Sequence, residues 1–196
     1  MPLLLLSIAD ILQRQGMQVR GFLDNDPAIW NTHVLGLPVM GGIDRWSEIQ
    51  FDKLFLAIGS NEARRQVAEE LGDCSDDFWI NAIHPTASIA AGVQLGCGVM
   101  VGAQAVISPD ATVGNHVIVN TASTVGHDSI VGDYCHVGPG VILAGGTKVG
   151  TGAFLGGGAT TIPQREIGEW ATVGAGATVI HNIPPRVIAK GTPARW

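Results

Sequence analysis

The sequence predicts a small α/β domain followed by a parallel β-helix. Two observations carry this. From Ile83 onward an aliphatic residue recurs at every sixth position, and the phase holds for about a hundred residues. Ahead of it, short apolar runs alternate with amphipathic stretches that end at glycine. The boundary falls near Ile80 to His84, just before Pro85, which gives a first domain over 1–80 and a second over 83–196.

In the first domain, Leu3 to Leu6 reads as a buried strand and Ile8 to Gln15 as a helix stopped by Gly16. Met17 to Leu23 and Leu54 to Ile58 read as two further strands, and Glu62 to Leu71 as a helix stopped by Gly72. Alternation of this kind builds a small α/β sheet. Two strand ends carry polar residues. Gly21-Phe22-Leu23-Asp24-Asn25-Asp26-Pro27 sets Asp24 and Asn25 where such sheets bind ligands, beyond the carboxyl end of a strand. Ala57-Ile58-Gly59-Ser60-Asn61 closes the next strand in a small-residue turn, with Asn61 suited to cap the helix that follows. Any α/β domain needs turns and caps, so a structural and a binding reading both stand here.

In the second domain, steps of six from Ile83 reach Ile89, Leu95, Val101 and so on to Val179, and sixteen of the seventeen positions are aliphatic. Glycine often follows, as in Val101-Gly102, Val125-Gly126 and Val173-Gly174. Four places after each aliphatic residue stands a small or apolar one, from Ala87 to Ala177. Arg165 breaks this second series in the same unit where Thr161 breaks the first. Six residues are too many for a β-turn and too few for a strand plus a helix. Each unit is therefore a short strand ending in a corner, where glycine permits angles that a Cβ forbids. Three units close a triangular coil, and stacked coils bury the aliphatic column that one coil leaves exposed. Seventeen units make five to six coils.

Composition bounds the function. Of 196 residues, 46% are apolar and 14% charged, enough for a packed core. A net charge of −6 argues against a nucleic acid or an anionic membrane as partner. No Lys or Arg occurs between Arg65 and Lys148, whereas Lys148, Arg165, Arg186, Lys190 and Arg195 then face only Glu166 and Glu169. That basic end suits either plain solvation or a polyanionic ligand. The run Met1 to Leu6 is too short to span a bilayer, has no basic flank and is followed by Asp10, so no membrane insertion is expected and the protein reads as cytoplasmic. Cys74, Cys97 and Cys135 show neither metal-site spacing nor an evident pairing and are expected as buried thiols.

Six histidines are available for acid–base chemistry. His33, His84 and His181 lie in a loop, at the domain junction and at the end of the repeat, and read as structural or solvated. His127 stands beside a glycine corner and is followed by Asp128, and a carboxylate next to an imidazole orients it and favours its protonated form. Asn120 could anchor the same cleft through its amide or be an exposed turn residue. His136 comes half a coil later, so it cannot share a prism edge with His127 in one chain. With prism sides of ~15–20 Å, the two meet only where a neighbouring subunit brings its own copy of the second. His116 is expected at the surface. His116, His127 and His136 share no edge, so no metal is expected. Gly145-Gly146 and Gly156-Gly157-Gly158 either leave backbone N–H groups open along a groove or serve merely as corners. A base and main-chain donors are what acyl transfer from a thioester requires.

The repeat, the Ile183-Pro184-Pro185-Arg186 exit and the Lys190-Gly191-Thr192-Pro193-Ala194-Arg195 ending resemble the hexapeptide-repeat acyltransferases. With the strand ends at Asp24-Asn25 and Gly59, nearly the whole chain is similar to the sialic-acid O-acetyltransferase (NeuD) and nucleotide-aminosugar N-acetyltransferase (PglD-like) group. The resemblance implies a small α/β Rossmann-like N-terminal domain followed by a left-handed parallel β-helix. It implies a homotrimer with active sites between subunits, acetyl-CoA as co-substrate, and N-acetylation of a UDP- or GDP-linked aminosugar in glycan biosynthesis. In that pattern His127 is the general base and Asp128 its orienter. His136 meets the acetyl-CoA thioester, the amides near Gly157 and Ala175 line the pantetheine, and Lys190 and Arg195 meet the CoA phosphates. Asp24, Asn25 and Gly59 are expected on the nucleotide-sugar side and Asn120 in the acceptor cleft. O-acetylation of sialic acid or another sugar is the enzymatic alternative; a non-catalytic β-helix scaffold and a zinc enzyme are the remaining ones. One departure stands out. Members of the group carry a glycine-rich loop ending in histidine directly after the first strand, and here Leu6 runs straight into Ser7-Ile8-Ala9-Asp10. Such loops offer N–H groups to phosphates, so pyrophosphate binding loses that support.

Overall fold

The structure, a computed structural model, describes residues 3–72 and 77–196. Leu5, Ile8, Ala9 and Ile11 are buried at helical spacing, and Leu3–Arg14 forms one helix, α1. The strand expected at Leu3 to Leu6 is therefore not formed. The apolar run continues in phase through Ile11, so a helix buries more of it than a four-residue strand could. Arg14 pairs with Asp10 one turn back at 2.7 Å, and Gly16, with φ +81°, ends the helix where a side chain would be strained.

The segments 17–23 and 54–58, expected as buried strands, each make a single parallel bridge instead, Phe22 with Val39 and Leu54 with Trp79. Both line an apolar cleft of about 830 Å³, together with Leu5, Ile8, Leu12, Met40 and Val67. His33–Val34 and Leu37–Pro38 form a small antiparallel hairpin. A second helix, α2, spans Asn61–Leu71. Its cap is Ser60, whose Oγ accepts from Ala63 N–H at 3.3 Å. Asn61, expected in that role, is instead the first helical residue and points elsewhere.

From Ala82–Ile83 to Ile188–Ala189, two-residue strands stack in parallel as three sheets. Partners lie eighteen residues apart, as in His136 with Ile118 and with Phe154. The inner residues of the pairs, such as Val119, Val137, Leu143 or Leu155, are buried and build one continuous core, with Ile83, Ile89 and Leu95 of the first coil partly buried against it. The expected architecture, a small α/β domain followed by a parallel β-helix, is the one found. The break at Thr161 has a physical reason: its Oγ1 accepts from Ala144 N–H at 3.0 Å and meets Thr147 Oγ1 at 3.0 Å, so the hydroxyl is satisfied inside the prism. Arg165, half-buried, donates Nε to the Pro163 carbonyl.

The first domain covers one face and one corner of the prism. Ile8 and Ile11 of α1 pack on Ala82, Met100 and Ile118, the outward residues of the first sheet. Helix α2 lies over the corner column His116, Tyr134, Gly152 and Trp170. Asn61 Nδ2 donates to the carbonyls of Gly152 and Ala153 at 3.1 Å, and Arg65 stacks 5.0 Å over the Trp170 ring. His116, expected at the surface, is 2% exposed. It lies edge-on to Trp79 and stacked on Tyr134, and burial, then Arg64, lower its imidazole to about 4. Cys97 is disulfide-bonded, against the expectation of three thiols; Cys74 lies outside the described residues. Cys135 is free and buried, its thiol raised to about 12 by burial.

Candidate active site

Three corners of the prism separate three groups of residues. The first lies under α2. The second follows the strand Thr124–Val125 and carries His127 and Asp128. Asp128 takes a left-handed backbone angle, φ 57°, which Asp tolerates better than most residues. That turn brings its Oδ2 within 2.7 Å of His127 Nδ1. Both side chains are about two-thirds exposed, so the pair contributes little to stability. What it does is fix the ring at Nδ1, with the Nε2 edge over the backbone of the next coil. Beneath the ring lies Gly145, one coil on, where a Cβ would meet His127 Nε2 at 2.4 Å.

The third corner follows the face that bears His136. Gly157 and Ala175 sit there in successive coils, both exposed, with Lys190 beside Gly174 at the end of the stack. His136, Gly157, Ala175 and Lys190, all expected on the acetyl-CoA side, thus lie along one face and its adjoining corner, and Arg195 pairs with Lys190. They do not meet His127 within the chain. Asn120, expected near His127, instead sets its Nδ2 3.2 Å from His136 Nε2. Its place eighteen residues before Gly138, the glycine that ends the His136 unit, puts it on the donor face, and the Asn120 N–H bonds the Val137 carbonyl. His136 is half-buried, edge-on to Phe154. Its Nδ1 is buried with no hydrogen-bond partner among the described residues, and the Gly59 backbone lies near the ring.

Asp24, Asn25 and Gly59 all line the apolar cleft of the first domain. Asp24 Oδ1 accepts from Asp26 N–H at 2.9 Å, and Asn25 Oδ1 accepts from Ile43 N–H at 3.0 Å, so half of each side chain shapes the turn. Gly59 lies at both places, at the cleft and beside His136, and so links the first domain to the donor face. Leu6 and Ser7 are inside α1, so among the described residues no glycine-rich turn follows Leu6. Among the described residues no group of three or more His, Cys, Asp or Glu side chains could hold a metal ion, and no described helix is long and apolar enough to cross a membrane.

Residues 7–71 match the family model described as the PglD N-terminal domain. A perosamine N-acetyltransferase from Caulobacter crescentus, solved as a variant with CoA and GDP-perosamine, is 37% identical with a TM-score of 0.91, over 99% of this chain and 92% of that one. The chain belongs to the PglD-like nucleotide-aminosugar N-acetyltransferases. A second member, the acetyltransferase domain of PglB from Neisseria gonorrhoeae FA1090 solved with acetyl coenzyme A, is 32% identical with a TM-score of 0.89, over 96% of this chain and 92% of that one. WeeI from Acinetobacter baumannii AYE, 24% identical with a TM-score of 0.84 over 94% of this chain and 90% of that one, shares the fold. The curated proteins give no match. Within this PglD-like family member, sequence reasoning missed Arg64 and the partner of Asn120. The column His116, Tyr134, Trp170 at coil spacing was the available signal, since bulky residues at glycine-type corners mark a covered edge.

Proposed function

We propose that the protein transfers the acetyl group of acetyl-CoA to the amino group of a nucleotide-linked aminosugar, with His127 as general base. The observation that carries this reading is the His127–Asp128 contact at 2.7 Å, made through Nδ1 on an exposed corner, in a chain of this family. Asp128 accepts the Nδ1 proton, so Nε2 presents a lone pair. The neutral sugar amine attacks the thioester carbonyl and the C–N bond forms, His127 Nε2 takes the proton that the nitrogen sheds, and the C–S bond breaks. The CoA thiolate leaves and recovers the proton from the imidazolium. No acyl-enzyme is needed. Main-chain N–H groups near Gly157 and Ala175 serve the donor, Lys190 the CoA phosphates, and Asp24, Asn25 and Gly59 the nucleotide-sugar. The relatives solved with CoA, acetyl-CoA or GDP-perosamine support both ligand classes.

Because His127 and His136 stand on different edges, the reading includes a homotrimer whose neighbouring chains complete each site. The test is mass analysis of UDP- and GDP-4-amino sugars and of sialic acid incubated with acetyl-CoA. Acetylation of an amino sugar, with kcat lowered about 10²–10⁴-fold in His127→Ala, is the expected result. Sole modification of sialic acid, or near-normal turnover of the variant, overturns it.

A further inference from the structure

Helix α2 holds a charge that this chemistry does not use. Arg64 is 1% exposed, and its guanidinium donates only to neutral oxygens. Nε bonds the His116 carbonyl at 2.8 Å, and Nη1 the carbonyls of Ile58 at 2.8 Å and Gly59 at 3.4 Å. Nη2 bonds Asn61 Oδ1 at 2.9 Å and the carbonyls of Tyr134 at 2.8 Å and Cys135 at 3.3 Å. Buried cations are ordinarily paired with a carboxylate; among the described residues this one is not. Burial lowers it to about 10, so it stays cationic at neutral pH. It bonds the residue directly before His136.

A second observation concerns His136 itself. Thr121 N–H donates to Asn120 Oδ1 at 2.8 Å, which turns the amide Nδ2 toward His136 Nε2. An amide nitrogen only donates, so Nε2 carries the lone pair and the ring proton is on Nδ1, toward Gly59. A doubly protonated ring would set N–H against N–H and break the contact. Burial first and then Arg64 hold the imidazole down at about 4, against a backbone contact from Gly59 that raises it. The groups packed on the ring from other elements, Asn120, Phe154 and Gly59, do not titrate. The titratable groups around Arg64 are His116, Tyr134 and Cys135, with Asp133 on the same corner.

We propose that Arg64 is a positioning residue for His136: its guanidinium, which meets only neutral oxygens among the described residues, adds to burial in keeping the ring neutral and so preserves the Asn120–His136 hydrogen bond that orients the donor face. The role rests on the donor-side reading of His136, but the readout does not. Ring ¹⁵N NMR of the labelled full-length protein, titrated from about pH 8 to about 3, should show His136 as the Nδ1–H tautomer down to a midpoint of about 4. In Arg64→Met the midpoint should rise by about one pH unit, and Arg64→Lys should keep the ring neutral. A wild-type His136 that is Nε2–H or already protonated near pH 6, or an unmoved midpoint in Arg64→Met, overturns the proposal. If Arg64→Met does not fold, Arg64→Gln decides: a midpoint raised above wild type supports the role of charge, and an unmoved one removes it. Where the protein acetylates, the acid limb of kcat/KM for acetyl-CoA moves with the midpoint. A protein inactive on every sugar fails the functional reading and leaves the NMR result standing.

Discussion

At the residue scale, the position of His127 depends on what is missing beneath it. Gly145 needs no unusual backbone angle, so an alanine there is not strained in itself; its Cβ simply occupies the place of the imidazole. The ring is the free end of a side chain and can move aside. Gly145→Ala should therefore leave the melting temperature within a few degrees of wild type yet lower kcat roughly 10–10²-fold, because small displacements of a catalytic group are costly. Calorimetry beside steady-state kinetics checks both halves. The sequence made the His127–Asp128 pair legible because the two are adjacent. It could not make Asn120–His136 legible, because that contact joins neighbouring coils and depends on which way one amide is turned.

At the element scale, α2 ties the first domain to the prism through backbone acceptors, which leave no trace in side-chain chemistry. An arginine in an amphipathic helix reads as solvated unless its partners are known. The docking has a consequence in acid. His116 and His136 are both lowered to about 4, chiefly by burial, from the ordinary imidazole value of about 6.5. Below 6.5 the unfolded chain takes up protons that the folded one refuses until about 4. Stability should therefore fall as pH drops across that window, by on the order of a few kcal/mol in all, and level off below it. Thermal melts at stepped pH measure this, and a flat profile would contradict the burial of both rings. Inside the prism, Thr161→Val should cost about 1–3 kcal/mol, since it strands the Ala144 N–H that the hydroxyl now accepts; chemical denaturation gives the value.

At the scale of the whole molecule, the β-helix was legible because a six-residue phase has few other solutions. The first domain was only partly so: Leu3 to Leu6 fits a strand or a helix until Ile8 and Ile11 are counted with it. The separation of His127 from His136 also followed from coil arithmetic, and it sets a test of assembly. Mixed oligomers of His127→Ala and His136→Ala should regain part of the activity that each has lost, because some interfaces then pair an intact His127 with an intact His136 from the next chain. Absence of any recovery on mixing would place both residues' work within one chain.

The grip of α2 on the corner column has a bearing on how such a protein can change length. A solenoid can usually gain or lose a whole turn with little harm, since each turn meets only its neighbours. Here one helix touches His116, Tyr134, Gly152 and Trp170, four successive turns, at fixed intervals. It acts as a ruler laid along the stack. Inserting or deleting a turn between 116 and 170 would preserve the prism and still pull the first domain out of register with it. Modular growth is left free only beyond Trp170, toward the basic end of the chain.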